Sequence, residues 1–455
     1  MGQLRKKQYR DMLKTIVLLA LPTMFEHLLS TLMQYVDTAM VGRLGADATA
    51  AVSTTTTITW LVNSISGAVG VAILTMIATG IGAGRNEYVK KTAAQAVLLS
   101  VTVGGIITAA CIILSPYIPG MMGIDESVRA LSSEYFMIIS IPMVLRSFSI
   151  VLGSAIRATH DTRMPMIINL TANGLNVVLN YLLIYTAGLG VRGAAIATAI
   201  STALSGIWML MLFLKKDVLR FDVRSLKPDK DILAEAWRIG FPVLATNFTS
   251  CLGYVVFAGM ITGMGNVIFA AHSIAVTAEE FFYIPGYGLR NATQTLIGNS
   301  YGEGDHNKFK LTSRISMALT VLMMCISGFL LYIVARPLMS VFTTSQEVID
   351  TGTMVLKMVA FSEPAFGILI EVEGIYYGLG KTKLPFIIET LSMWAVRILF
   401  TYLCVNIWHL SLRAVWFCMI ADNILKALAF TIASFIIFRK KSFAAEFSVI
   451  GDGAQ

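Results

Sequence analysis

The chain alternates between long apolar stretches and short polar connections. Long stretches without any Asp, Glu, Lys or Arg include 48–84, 92–124, 164–191, 193–214, 239–278 and 315–335. A helix that crosses a bilayer needs about 20 mostly apolar residues, so each stretch is long enough for one span. The pattern therefore predicts several membrane-spanning helices.

Segments that carry one or a few charges complete a set of twelve predicted spans. The basic start of the chain, followed by an apolar run, has the outline of a signal peptide. That run continues through Glu26, His27 and Asp37 without a convincing cleavage site, so we interpret it as the first span. The predicted fold class is an all-α integral membrane protein. The twelve spans are 14–41, 50–82, 92–115, 131–156, 164–187, 193–214, 236–262, 268–299, 313–335, 353–377, 384–408 and 412–438.

Composition agrees with a membrane protein. Of the 455 residues, 56% are hydrophobic and 14% are charged, and the mean hydropathy is +0.72. Ordinary soluble domains do not bury that much apolar surface. The five cysteines all fall inside predicted spans. Because they lie inside spans and their number is odd, neither disulfides nor a cysteine metal site is expected.

The net charge of +8 is distributed unevenly along the chain. When the N-terminus is placed in the cytoplasm, the connections on that side hold most of the Lys and Arg residues. This is the positive-inside pattern, and it predicts a multi-pass protein of the inner (plasma) membrane with both termini cytoplasmic. Membrane lipid is therefore an expected partner, and nucleic acid is not.

The longest polar connection divides the chain into two halves that repeat each other. At an offset of 220 residues, Pro22 matches Pro242, Gly45 matches Gly265, and Thr162 matches Thr382. Each half holds six spans, so the halves should be related by an axis along the membrane normal, with a substrate pathway between them. The predicted organisation is an N-terminal six-helix lobe at 1–214, a cytoplasmic linker at 215–235, a C-terminal six-helix lobe at 236–438 and a cytoplasmic tail at 439–455.

Several motifs stand out along the chain, and some recur in both halves. They are VDTAMVGRLG (36–45), GIGAGR (80–85), ATHDTRMP (158–165), AAHSIAVTAEEFFYIPGYG (270–288) and GLGKTKLP (378–385). These motifs resemble the MATE (multidrug and toxic compound extrusion) transporters of the bacterial NorM and DinF type. The resemblance implies a V-shaped pair of six-helix lobes that exports organic, often cationic, compounds in exchange for Na⁺ or H⁺. It implies a monomer that is not an enzyme and needs no cofactor besides the coupling ion.

By the same resemblance, Asp37 is the ion-coupling residue of the N-terminal lobe. The family's polar partners in the fifth and sixth helices correspond to Asn176, Asn180 and Thr198. Some archaeal members have a second Asp in the place of Asn180, so the site here carries one formal charge. The NorM branch has a Glu in its seventh helix where this chain has Ser250, which argues against a NorM-type ion site in the C-terminal lobe.

The residues themselves allow two interpretations of this site. Asp37 has no Lys or Arg within a helical turn, and Asn176 and Asn180 lie four residues apart on one helix face. Carboxylate and amide oxygens suit a hard cation, so these three residues are a candidate Na⁺ site. Alternatively, the asparagines, with Asn169 and Asn173 on the same stripe, only bond neighbouring helices, and Thr198 bonds its own i−4 carbonyl.

The predicted spans of the second half contain more charge, with acids in excess. Asp422 and Lys426 are spaced i,i+4 and should neutralise each other. Glu279 aligns with a Glu often found in the family's eighth helix. Because adjacent helical residues lie about 100° apart, we expect Glu279 to face a substrate cavity while Glu280 pairs with a base such as Arg290 or Arg397.

Two further questions stay open at this level. Glu26 and His27 in the first span are explained equally well by a helix-to-helix hydrogen bond and by a proton relay. Within transport, the alternative function is flipping of a lipid-linked saccharide, as in the related exporters of the MOP superfamily. Such proteins need cationic residues to bind a pyrophosphate group, whereas acidic residues outnumber basic residues in the predicted spans here. No HExxH motif, nucleophile elbow or Walker loop is present, so the sequence predicts no enzyme.

Overall fold

The structure, a computed structural model, describes residues 2–123 and 125–452. Within these described residues, ten single helices are long and apolar enough to cross a membrane. Two further helix pairs, bent by 49° and 56° at short breaks, each make one more span. The predicted all-α fold of twelve membrane helices is confirmed. In chain order the spans are Gly2–Gly42, Ala46–Gly82, Asn86–Leu114, Glu126–Ser140 with Met143–Ala158, Arg163–Asn180 continued by a π-helix at Tyr181–Thr186, Gly190–Lys215, Lys230–Thr262, Asn266–Gly302, His306–Phe342, Gln346–Val359 with Glu363–Gly378, Lys383–Ile407 and Leu412–Arg439.

Several helices extend beyond the predicted apolar segments, because capping residues rather than hydrophobicity set their ends. The carboxylate of Asp229 accepts hydrogen bonds from the backbone N–H groups of Asp231 and Ile232, so the seventh span begins inside the predicted linker. Asp305 caps the ninth span in the same way. The remaining short helices are Ile118–Met121, Asp217–Leu219, Val223–Leu226 and, within the predicted tail, Lys441–Asp452.

The internal repeat is visible in the backbone. Gly45 and Gly265 both have a φ of 114° at the turn before the second and eighth spans, a conformation that glycine adopts without strain. The left-handed residues His160 and Gly380 also lie 220 positions apart, with φ values of 65° and 67°. The two bent pairs, which break after Ser140 and Val359, occupy corresponding places. The two halves therefore share one fold.

The chain packs as two compact units. One unit is Phe25–Leu244 and the other is Met1–Met24 together with Ala245–Gln455. The boundaries at 24 and 244 again differ by 220, so the start of the first helix of each repeat belongs to the unit formed mainly by the other repeat. The lobe limits predicted from the polar connection stay a prediction.

Close approach of the fifth and sixth spans prepares the place where the candidate site forms. A Cβ on Gly193 would lie 2.7 Å from the carbonyl carbon and oxygen of Leu183. Only glycine permits this backbone contact, and small residues are the usual means of bringing membrane helices together. One and a half turns beyond Gly193, Thr198 is directed towards the fifth span, where it contacts Asn176.

Candidate ion-binding site

The four predicted ion-site residues form one connected group within the unit Phe25–Leu244. The Asn180 Nδ2 group donates to Asp37 Oδ1 and, at 3.2 Å, to Asn176 Oδ1. The Asn176 Nδ2 group donates to Thr198 Oγ1 at 3.3 Å. Asn180 is fully buried, while the other three side chains are half-buried. The first, fifth and sixth spans thus bring together residues that lie far apart in sequence.

One atom of this group lacks a partner. The Oδ1 atom of Asn180 is buried and accepts no hydrogen bond within the described part of the chain. A buried acceptor without a donor costs about 1–3 kcal/mol, so it should be satisfied by something outside the protein. Tyr135 of the fourth span interacts with both Asp37 and Thr198. The donor set is therefore carboxylate, amide and hydroxyl oxygen, which suits Na⁺ or a proton.

Hydrogen bonds between the first and fifth spans extend from this site along the whole asparagine stripe. Asn169 Nδ2 donates to Glu26 Oε1 at 2.6 Å, and Asn173 Nδ2 donates to Ser30 Oγ at 2.9 Å. Together with the contact between Asn180 and Asp37, these bonds connect the first span to the fifth span at three places. The two partners are 143 positions apart in each case. The helix-bonding interpretation therefore holds for Asn169 and Asn173.

Comparison with known proteins decides the family. The MatE family model matches residues 22–182 and 242–403, which is most of the chain and one segment in each repeat. The chain belongs to the MATE family. It is 27% identical over 93% of its length to the "Probable multidrug resistance protein NorM" of Thermotoga maritima, of which the alignment covers 92%. It is 24% identical over 81% of its length to the "Multidrug export protein MepA" of Staphylococcus aureus, of which 82% is covered.

Solved MATE structures have the same fold. A mutant of the Vibrio cholerae MATE transporter VcmN superimposes with a TM-score of 0.90 at 21% identity, over 96% of this chain and 100% of that one. The resemblance inferred from the motifs is confirmed, and with it the assignment to a family of membrane transporters. The roles of the individual residues in this MATE chain are not decided by these comparisons and stay predictions.

Glu26, at the Asn169 end of the asparagine stripe, is held by an ion pair that the sequence did not reveal. Both carboxylate oxygens accept from Arg157 Nη2, at 2.7 and 2.9 Å. The Asn169 Oδ1 atom in turn accepts from Ser149 and Ser205. Arg157 falls just outside the predicted span 131–156, but it lies in the last turn of the fourth span and points inward. Helix-to-helix bonding is thus established for Glu26, and a proton relay through His27 stays a hypothesis.

The predicted pair of Asp422 and Lys426 is confirmed, with a third member. Lys426 Nζ lies 2.9 Å from Asp422 Oδ2, and Arg397 Nε lies at the same distance from that oxygen. Ser392 donates to Asp422 Oδ1 at 2.6 Å. Asp422 is fully buried. One carboxylate therefore faces two cations, and the hydroxyl of Ser392 contacts the carboxylate while the aromatic ring of Tyr254 contacts Arg397.

The two predicted substrate acids differ in their surroundings. Glu279 is buried, with 9% of its surface exposed, and it interacts with Arg397 and Glu363. Glu280 is half-buried. The two bases named as partners for Glu280 form ion pairs with other acids: Arg397 with Asp422 and, at 2.8 Å, Arg290 with Glu373. The eighth span, Asn266–Gly302, which carries both acids, continues as one α-helix through Pro285. The assignment of Glu279 and Glu280 to a substrate cavity stays a prediction.

Proposed function

We propose that this MATE-family chain is a secondary active antiporter that exports organic cations in exchange for Na⁺ or H⁺. Asp37 is its coupling carboxylate, and Asn176, Asn180 and Thr198 complete the ion site. The observation that carries the proposal is the unpartnered, buried Asn180 Oδ1 next to the Asp37 carboxylate. A negative charge beside an unsatisfied acceptor is an arrangement that a cation or a proton relieves.

The export of diverse organic compounds is supported by the relatives. Proteins named for multidrug resistance or multidrug export align with more than four-fifths of the chain. The distribution of charge supports a cationic substrate, since buried acids such as Glu279 and Glu363 occur in the unit that contains the second half. In this proposal the N-terminal six-helix lobe binds the coupling ion, the C-terminal lobe binds much of the positive charge of the substrate, and both termini are cytoplasmic.

Flipping of a lipid-linked saccharide remains the second candidate. A pyrophosphate group would require cations that are not already neutralised. In the described second half, Arg290, Arg397 and Lys426 each lie within 2.9 Å of a carboxylate oxygen. Those three bases are therefore engaged, and the observation favours an organic cation over a pyrophosphate.

Uptake of a fluorescent organic cation into proteoliposomes tests the proposal. Na⁺ and H⁺ gradients are imposed separately, and the gradient that drives uptake identifies the coupling ion. Asp37→Asn should abolish gradient-driven uptake while protein yield stays normal. Asp11→Asn, which neutralises an exposed carboxylate on the same helix, is the matched control and should transport normally. Wild-type uptake by Asp37→Asn would refute the assignment of Asp37.

A further inference from the structure

Another buried carboxyl group lies among hydroxyls in the unit that contains the second half of the chain. Glu371 of the tenth span is fully buried, and its Oε2 atom accepts a hydrogen bond from Thr320 Oγ1 of the ninth span at 2.8 Å. The hydroxyls of Ser316, also on the ninth span, and Thr293, on the eighth span, interact with the same carboxyl group. Each of these three hydroxyl residues is fully buried, with 0% of its surface exposed, and so three helices enclose the carboxyl group.

This group of oxygens is incompletely satisfied. Glu371 Oε1 and Thr293 Oγ1 are both buried, and neither atom makes a well-aligned hydrogen bond in the part of the chain that the structure describes, although the Thr293 hydroxyl lies next to the carboxyl group. The charges closest in sequence are directed elsewhere, because Arg290 and Glu373 pair with each other at 2.8 Å. Glu373 lies two positions after Glu371 and therefore about 200° away around the helix. The charge of Glu371 has to be balanced by something other than these groups.

The repeat provides an internal comparison that separates packing from chemistry. The positions 220 residues before Glu371, Thr293 and Ser316 are Val151, Ile73 and Ala96, and all three are buried in an apolar cluster. At the position of Thr320 the first half has Ser100, whose hydroxyl donates to the carbonyl oxygen of Ala96 in its own helix, at 2.7 Å. The first half thus fills the corresponding place mainly with apolar side chains. Packing alone does not require a carboxyl group at Glu371.

We propose that Glu371, with Thr293, Ser316 and Thr320, binds a monovalent cation, either Na⁺ or a proton, at a site separate from Asp37. Two carboxylate oxygens and three hydroxyl oxygens are available, and oxygen is the ligand that hard cations prefer. A bound Na⁺ contacts Glu371 Oε1 and Thr293 Oγ1, whereas a proton is carried by Glu371 Oε1 and donated to Thr293. The inference does not depend on the role of Asp37.

Ion binding by the purified full-length protein tests the site. Radioactive Na⁺ bound at equilibrium and protons released on a step from acid to alkaline pH are measured for Asp37→Asn and for Asp37→Asn/Glu371→Gln. Adding Glu371→Gln to the Asp37→Asn protein should remove either the bound Na⁺ or the proton released from this site. Loss of Na⁺ identifies a sodium site, and loss of the proton alone identifies a protonated carboxyl group. Unchanged Na⁺ and unchanged proton release would overturn the proposal.

Hydroxyl variants keep the test decisive if Glu371→Gln folds poorly. Thr320→Val preserves the shape of the side chain and removes one ligand. It should weaken Na⁺ binding by about tenfold, in line with the effect of removing a group that supports a metal site, or shift proton release to a different pH. Ser100→Ala, at the corresponding place in the first half, is the matched control and should change neither measurement. An equal effect of both variants would also refute the site. Transport by Asp37→Asn tests the proposed function, whereas ion binding by the Glu371 and Thr320 variants tests this second site. Failure of one proposal can therefore be distinguished from failure of the other.

Discussion

The ion pair between Glu26 and Arg157 allows a quantitative prediction of stability. Glu26→Gln keeps an oxygen for the hydrogen bond from Asn169 but removes the negative charge that faces Arg157 at 2.7 and 2.9 Å. The two side chains are only 8% and 12% exposed, so little water is available to the guanidinium group that remains. Removing one partner of a buried ion pair costs about 3–5 kcal/mol. We expect Glu26→Gln to lower the free energy of unfolding by about 3 kcal/mol.

A second ion pair between Arg and Glu in the same unit provides a control of similar distance and different exposure. Arg192 Nε lies 2.6 Å from Glu134 Oε1, but the two side chains are 62% and 30% exposed. Exposed pairs contribute about 0–1 kcal/mol and weaken as salt is added. Glu134→Gln should therefore have a small effect that depends on ionic strength. Reversible unfolding in mixed detergent, at low and high salt, compares the two variants directly.

The double variant Glu26→Gln/Arg157→Gln completes the test. Because it leaves no buried charge without a partner, it should recover most of the stability that Glu26→Gln loses. A cost for Glu26→Gln as small as that for Glu134→Gln would show that Arg157 finds another anion or water, and the reasoning would fail. The same variants address the relay hypothesis, because a structural Glu26 predicts that the double variant transports with the wild-type dependence on pH.

Two further predictions concern the division of labour between ion and substrate. Replacing Asn180 or Asn176 by Ala should weaken the dependence of transport on the coupling ion more than it weakens substrate affinity. The control Asn173→Ala loses only a hydrogen bond to Ser30 and should leave the ion dependence intact. A larger loss of drug binding than of ion coupling would contradict this prediction. Glu279→Gln should weaken binding of a cationic ligand more than binding of a matched neutral ligand, because a carboxylate attracts a cation strongly where the dielectric constant is low. Equal losses of affinity for both ligands would contradict a role of Glu279 in the substrate cavity.

The parts of this structure that the sequence predicts are those governed by a period along one helix or by the repeat. The asparagine stripe follows from the i,i+4 spacing of Asn176 and Asn180, and the pairing of Asp422 with Lys426 follows from the same rule. The twelve spans follow from the length of apolar segments. Each of these features depends on residues that are close in sequence, so the pattern is visible without knowledge of how helices pack.

The features that the sequence did not predict depend on which helices are neighbours. Arg157 and Glu26 are 131 positions apart, and nothing in the periodicity of either helix shows that they meet. The hydroxyl groups around Glu371 come from two other spans and are chemically unremarkable in sequence. Helix ends were also misjudged, because a cap such as Asp229 is a local hydrogen bond within a polar segment, not a change in hydropathy.

Comparison of the two repeats separates the residues that specify the fold from those that specify the chemistry. The position that corresponds to Asp37 is Phe257, which is 3% exposed and belongs to an apolar cluster, and the position that corresponds to Asn180 is Phe400. Each repeat thus reaches the same helical fold with or without these polar groups. A carboxyl group that costs several kcal/mol in a membrane, and whose counterpart in the other repeat is apolar, is not required by the helical fold. Asp37 in the first repeat and Glu371 in the second both meet this criterion, which is why each is expected to interact with a cation.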